Sequence, residues 1–475
     1  MSKSTVVAVT MALLITIALP SAGQEASGIQ ARIEAFVAAF NSGDADTMLR
    51  YYEEALTPEL RARRSDEERR SMYLRLTQDL GRLEVQQIKI DGPNSVTIVA
   101  ESERSGGIQL SFELEENPPH RIAGIGINIG GPGPEMDLPP APNLATLGLE
   151  AWRLAVDHYL LGLADEEVFS GTVLLARRDE VLFEGAYGLA NREHEVANAL
   201  DTRFDIGSIT KVLTKTAIGQ LARDGKLSLN DTVAEHLPNY PNKSVASKVT
   251  IDHLLRHTSG LGDIFVDEFF RGSKTRFRSP DDYIEMFADT PLLFEPGEGR
   301  QYSNAGYVVL GAIVAAASGR PYSEYLEENV LAPAAMTSTL FPSKDLPIPR
   351  VATGYTKDET GVWRNNVFLT PIQGCPAGGL AATAGDLFRF DRALRKGILL
   401  GPGWTRWVFT DHLPDQASLK GDQPFADQAW GVAGGAQGVN ALLESDGQTA
   451  SVVLANLDPP IAMALGKVLR ESFEE

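Results

Sequence analysis

The sequence predicts an α+β protein made of two folded units, and three observations carry that prediction. The chain has 475 residues, more than one ordinary hydrophobic core organises. Its early part runs through helical patterns and then four alternating segments, the order of a small α+β unit with an antiparallel meander. The remainder shows strand patterns at both ends with helices and long loops between them. That arrangement predicts one antiparallel sheet, flanked by helices, whose terminal strands are neighbours.

The elements follow in order. "MSKSTVVAVTMALLITIALPSAGQ" has one lysine, an apolar run from Val6 to Leu19 and the small residues Ser21-Ala22-Gly23. These are the three parts of a secretory signal peptide, so residues 1–23 are expected to be cleaved and the protein exported to the periplasm or medium. The apolar run is short for a membrane span, and no stable anchor is expected after cleavage. In residues 24–129, "IQARIEAFVAAFNSGDADTMLRYYEEAL" reads as two helices broken at Asn41-Ser42-Gly43-Asp44, with a third helix over Asp66 to Leu80. "LEVQQIKI", "SVTIVAES", "IQLSFELEE" and "HRIAGIGINI" read as strands. "GGPGPEMDLPPAPN", residues 130–143, reads as a Pro/Gly-rich linker. The second unit, 144–475, opens with a helix from Leu144 to Leu163. A hairpin follows with Arg177-Arg178-Asp179 near its turn, and a second hairpin near the C-terminus turns around Asp446-Gly447.

Composition narrows the function. The net charge of −20 argues against nucleic acid and against electrostatic binding to anionic lipid. Cys375 is the single cysteine, so no intramolecular disulfide forms. The seven histidines are scattered apart from His253 and His257 in "DHLLRH", a pair that lacks the glutamate of a zinc-protease helix and reads as structural. No phosphate-loop pattern and no Gly-x-Ser-x-Gly elbow occur. Neither a metal nor an organic cofactor is expected.

One short stretch carries chemistry. In "FDIGSITKVLTKTAIGQLARDGK", Ile209, Val212, Leu213, Ala217, Leu221 and Ala222 recur at helical spacing, and Gly225-Lys226 reads as a stop. Residues three apart share a helix face, so Lys211 meets Ser208. Burial disfavours a charged amine, and a neutral amine beside a hydroxyl can take its proton. A Ser-x-x-Lys also arises by chance, but Ser208–Lys211 is the only such pair in this sequence. Lys215, one turn further along, reads as a solvated surface lysine. The alternative, a like charge pressing on Lys211, stays open.

From Phe169 to Asn456 the chain resembles the class C β-lactamase-like serine hydrolases, a group that includes D-Ala-D-Ala carboxypeptidases, D-aminopeptidases and esterases. The resemblance rests on "FSGTVLLARRDEVLFEGAYGLANREHEVANALDTRFDIGSITK", "IDHLLRHTSGLGD", "FEPGEGRQYSNAGYVVLGAIV", "PAGGLAATAGDLFRF" and "GGAQGVNALL". It implies a β-lactamase-like fold with Ser208 as nucleophile and Lys211 and Tyr302 in acid–base roles. The family's Tyr-x-Asn motif has two candidates, Tyr240-Pro241-Asn242 and Tyr302-Ser303-Asn304. The second precedes an apolar helix as in the family and is chosen, with Asn304 on Lys211 and the substrate. Aligning "GVAGGAQGVN" by its glycines places Gly434 at the substrate strand and Gly435, with Ser208, at the oxyanion. Val432 then stands where the family usually carries a basic residue, and Lys420 or Arg300 is an alternative source of that charge. His257 matches a family landmark and reads as support for the site. Residues 29–129 resemble the NTF2-like (SnoaL-like) cone fold through "AFVAAFNSGDADTMLRYYEE", a family of enzymes, binding modules and dimerisation domains. That resemblance implies dimerisation as one role.

The expected protein is an exported serine hydrolase acting on a small ester or amide, more esterase than β-lactamase. A carboxypeptidase or β-lactamase activity, or a non-catalytic binding protein on the same fold, is the alternative. If Lys211 is the base, Lys211→Arg keeps the charge but stays protonated, so turnover should fall about 100- to 10,000-fold with the fold intact. Near-wild-type turnover of that variant would place the base elsewhere.

Overall fold

The computed structural model describes residues 25–472, except 63–64, 93, 103–105, 116–118, 130–135, 137, 359 and 411–427. The expected signal peptide, Lys420 and most of the first half of the linker lie outside the described residues.

The N-terminal unit has the expected order. Helices α1 (Glu25–Asn41), α2 (Ala45–Ala55), α3 (Pro58–Ala62) and α4 (Asp66–Leu80) precede strands β1 (Leu83–Gly92), β2 (Ser95–Ser102), β3 (Gly106–Leu114) and β4 (Ile122–Ile129). The break between the first two helices is made by Asp44, whose carboxylate accepts from the N–H groups of Asp46 and Thr47 and so caps α2. The short α3 was not expected. The strands pair antiparallel in sequence order. Along β2, Val96, Ile98, Ala100 and Ser102 turn inward in strict alternation, and the first three share a core with Phe36 and Phe40 of α1, Tyr73 of α4 and Phe112 of β3.

The second unit is built on a five-stranded antiparallel sheet. Its order is Trp430–Ala436, Val439–Ser445, Thr449–Ala455, Gly171–Arg177 and Glu180–Tyr187. Residues Gly171–Arg177 and Thr449–Ala455 pair from Gly171↔Ala455 to Arg177↔Thr449, so strands from opposite ends of the unit are neighbours, as expected. Both expected hairpins are present, and Gly447 takes φ +89° in the second. The strand Gly171–Arg177 is buried on both faces because the sheet is a middle layer. Val173 and Leu175 face one core, with Trp152 and Val156 of the helix Leu149–Asp165 and Ile461 and Leu465 of the helix Ile461–Glu471. Leu174 and Ala176 face the larger core, which contains the helix Thr210–Arg223 and the helical insertion.

Two expectations need correction. The helix expected over Leu144 to Leu163 is two helices, Leu144–Leu147 and Leu149–Asp165. Gly148 separates them at φ +72°, a conformation open to glycine. The linker is not free along its whole length. Leu138 and Ala141 lie on the core beneath the sheet, and Tyr159 Oη donates to Pro139 O at 2.8 Å. Among the described residues no helix is long and apolar enough to cross a membrane.

The docked linker end predicts a difference between two truncations. A fragment beginning at Met136 should be more stable than one beginning at Leu144 by about 1–3 kcal/mol, the worth of partly burying two small apolar side chains and one hydrogen bond. Thermal melts of the two fragments would show it. Equal melting temperatures would mean that this segment contributes nothing.

Candidate active site

Ser208 lies in a 3₁₀ turn, Gly207–Ile209, that runs directly into the helix Thr210–Arg223. Nearly every side chain of that helix is buried, so it is a core helix and its polar groups must find partners inside. They do: Thr214 Oγ1 donates to Pro376 O at 2.8 Å, and Gln220 Nε2 donates to Asn329 O at 2.8 Å. Lys211 is 7% exposed, and its amine has three partners. Nζ donates to Ser208 Oγ at 3.1 Å, to Asn304 Oδ1 at 2.7 Å and to Ala377 O at 2.5 Å. Tyr302 Oη donates to Ser208 Oγ at 2.8 Å, and Lys211 Nζ lies 4.8 Å from the Tyr302 ring centroid. Lys211 and Tyr302 therefore converge on one oxygen, Ser208 Oγ, while Asn304 holds the lysine amine, and Ser208 is only half-buried.

The middle residue of Tyr302-Ser303-Asn304 explains how the motif is held. Ser303 is the N-cap of the helix Asn304–Ser318: its Oγ accepts from Gly306 N–H and donates to Gly262 O at 2.6 Å. Its own N–H donates to His257 Nδ1 at 3.2 Å, and the His257 ring lies 4.5 Å from that of Tyr302. His257 thus steadies Tyr302, as expected. His253 has a local role, accepting from Thr250 N–H at 3.3 Å, and burial lowers its pKa. The rejected motif is used elsewhere. Asn242 caps the helix Lys243–Lys248, and the Tyr240 hydroxyl is buried without a hydrogen-bond partner among the described residues.

The edge strand Trp430–Ala436 comes up against the serine turn. A Cβ on Gly434 would lie 2.0 Å from Ile206 O and 2.9 Å from Ser208 N, so only glycine permits this approach. Gly207, at φ +50°, faces it: a Cβ there would lie 3.0 Å from Gly435 N. The amides of Ser208 and Gly435 are thereby brought to one place at the sheet's open edge. Asn440 holds this edge by donating from Nδ2 to Gly434 O at 3.3 Å. Val432, two residues earlier, is partly buried against the larger core. Arg300, two residues before Tyr302, is exposed.

Lys215 is not the solvated lysine expected. It is 6% exposed, its Nζ donates to Val408 O at 3.2 Å, and it lies 4.9 Å from the Trp407 ring centroid. The helix is buried on this side too, so the amine finds its partners on the helix Pro402–Phe409. Sequence reasoning also missed Asp263, whose two carboxylate oxygens accept from Asn304 Nδ2 at 3.0 and 2.9 Å. That contact fixes which way the amide points and leaves Oδ1 for Lys211. The signal was present, since Asp263 closes the stretch "HTSGLGD". The Ala377 carbonyl offered no signal, because every residue has one. Before the serine, the partly buried Asp205 accepts from Gly207 N–H at 2.8 Å, and burial raises its pKa.

Comparison with known proteins shows the family. Residues 157–469 match the family model described as Beta-lactamase. The chain belongs to the β-lactamase family of serine hydrolases. It is 32% identical over 294 residues to the putative penicillin-binding protein PbpX of Bacillus subtilis, covering 61% of this chain and 71% of that protein. It is also similar to the crystal structure of a penicillin-binding protein from Bacillus halodurans, with a TM-score of 0.58 and 30% identity over 65% of this chain and 99% of that one. A D-stereospecific amidohydrolase from Streptomyces shares the fold, with a TM-score of 0.53 and 24% identity over 66% of this chain and 96% of that one.

Asp263 supplies the test of this arrangement. Asp263→Ala frees the Asn304 amide to rotate and should lower kcat/KM about 10- to 100-fold, the worth of one charge-assisted hydrogen bond, in a protein that still folds. An unchanged kcat/KM would show that Asn304 is positioned without it.

Proposed function

We propose that this family member is an exported hydrolase that cleaves a neutral ester or amide through an acyl-enzyme on Ser208. The observation that carries the reading is the meeting of Lys211 Nζ and Tyr302 Oη on Ser208 Oγ, at 3.1 and 2.8 Å. In the proposed sequence Lys211, helped by Tyr302, takes the serine proton as Oγ attacks the carbonyl carbon. The carbonyl oxygen gains the negative charge and is held by the N–H groups of Ser208 and Gly435, donors that need no rearrangement during the reaction. Tyr302 returns a proton to the leaving alcohol or amine as the bond to it breaks. Water then attacks the acyl-enzyme, gives up a proton to the same groups and releases the acid. Asn304 holds the amine and contacts the substrate, and Gly434 lets the substrate approach the strand.

Val432 directs the reading towards neutral substrates. Its side chain lies partly in the core where a cation would otherwise greet a substrate carboxylate, a contact worth roughly 1.5–3 kcal/mol. A second reading has one observation in its favour. Arg300 is exposed beside Tyr302 and could take a carboxylate, which would suit a carboxypeptidase or β-lactamase activity, and PbpX carries a penicillin-binding name. For the N-terminal unit we propose the NTF2-like fold, supported by helices packed over a four-stranded meander, with dimerisation as its role.

Labelling with a fluorophosphonate tests the nucleophile: wild type should be modified and Ser208→Ala should not. Turnover of neutral p-nitrophenyl esters but not of nitrocefin is expected. Val432→His should shift the ratio of kcat/KM values towards carboxylate-bearing substrates by about 10- to 100-fold. Efficient nitrocefin turnover by the wild type would favour the second reading, and absence of both labelling and turnover would remove both.

A further inference from the structure

We infer that the loop Asn366–Ala377 and the cleft beside it hold an extended apolar acyl chain of the substrate, because one end of the loop lies on Lys211, the other lies on the hairpin that carries Gly435, and its tip presents exposed hydrocarbon. The inference rests on the ester and amide reading above and names the class of acyl group.

The two ends of the loop are fixed at the site. Asn366 Nδ2 donates to Gln437 O at 2.9 Å, two residues beyond Gly435 on the same hairpin. At the other end Ala377 O accepts from Lys211 Nζ at 2.5 Å, and a Cβ on the next residue, Gly378, would lie 3.5 Å from the Gly207 carbonyl carbon. A surface loop whose ends meet in this way is compact and is often functional. Its return limb is fixed by Lys344 N–H to Ile372 O at 2.8 Å.

The tip is apolar and uncovered. Val367, Phe368 and Leu369 are 42%, 85% and 37% exposed. Three consecutive exposed apolar residues are a liability in a folded chain unless something binds there. Phe368 also forms one wall of a cleft of about 540 Å³, shared with Arg192, Glu193, Tyr355, Trp363, Arg364 and Asn365. That volume is in the range of small-molecule sites.

The charges around the cleft are engaged with one another. Arg192 Nη1 donates to Glu167 at 2.7 Å, and its guanidinium lies 3.9 Å from a Trp363 ring centroid. Arg364 Nε donates to Asp358 at 2.9 Å. Glu193 accepts from Tyr355 Oη and, at 2.7 Å, from Asn365 Nδ2. The surface that the cleft leaves open to a ligand is mostly ring and hydrocarbon. The hairpin that carries Gly435 leads from the serine turn to this cleft: a Cβ on Gly207 would lie 3.0 Å from Gly435 N, and a Cβ on Gly438 would lie 2.6 Å from the N of Tyr355, a residue of the cleft wall. A charged or short acyl group would gain nothing from it.

The test is a series of p-nitrophenyl esters from acetate to decanoate, together with calorimetric binding of sodium decanoate to Ser208→Ala. Full burial of one methylene corresponds to about fourfold, so partial burial in an open cleft should raise kcat/KM on the order of tenfold from butyrate to octanoate. Phe368→Ala should flatten the series and weaken decanoate binding at least fivefold, whereas Phe368→Leu should retain most of both. Phe368 is exposed, so neither change disturbs the core. A flat wild-type series without decanoate binding, or a rising series unaltered by Phe368→Ala, overturns the inference. If no ester is turned over yet decanoate binds in a Phe368-dependent way, the subsite stands and the ester reading falls.

Discussion

The buried amine of Lys211 is the constraint around which the second unit is arranged. An ammonium or amine taken out of water must be given partners, and three segments far apart in the chain supply them. The serine turn gives Ser208 Oγ, the start of the helix Asn304–Ser318 gives Asn304 Oδ1, and the loop before "GGLAAT" gives Ala377 O. Each partner is itself held: Asn304 by Asp263, Ser303 beside it by Gly262 and His257, and Thr214 of the lysine's own helix by Pro376 O, next to Ala377. A helix that exposed Lys211 to solvent would require none of this.

The same economy of space explains the glycines at the sheet edge. Backbone donors for an oxyanion must come from two chain segments that nearly touch, and a side chain on either would part them. Gly434 and Gly207 face each other across that contact, while Asn440 ties the strand to its neighbour. The sheet matters here because it is rigid. Its strand Gly171–Arg177 is buried between two cores, and the edge strand is carried on that layer. Precise placement of small groups is easier on such an element than on a loop.

Substrate preference, as proposed above, rests on residues outside the catalytic set. Val432 and Phe368 both depart from what the catalytic groups require. One puts a hydrocarbon side chain against the core where a charge would be useful to a carboxylate substrate, and the other sets a ring in solvent on the loop Asn366–Ala377. In the reading proposed above, both point the same way, towards an apolar substrate. In that reading the chemistry at Ser208 and the choice of substrate are carried by different parts of the chain, as is usual for a scaffold that supports many activities.

The sequence by itself determined most of the elements and the residues that meet around Ser208. Alternation and turn residues placed the meander and both hairpins, helical spacing set Lys211 beside Ser208, and motif order chose Tyr302 and Asn304 over Tyr240 and Asn242. These are properties of short stretches, and short stretches obey local periodicity. Only the tertiary structure decided the rest. Lys215 is buried because another helix covers that side, Asp263 is a partner of Asn304 because two distant segments meet, and the Ala377 carbonyl is an acceptor because a loop returns to the lysine. Gly148 split a helix that the apolar spacing had joined, since its backbone takes a left-handed turn that the spacing alone does not reveal. Burial and backbone contacts depend on what else folds against a residue, and that information is spread over the whole chain.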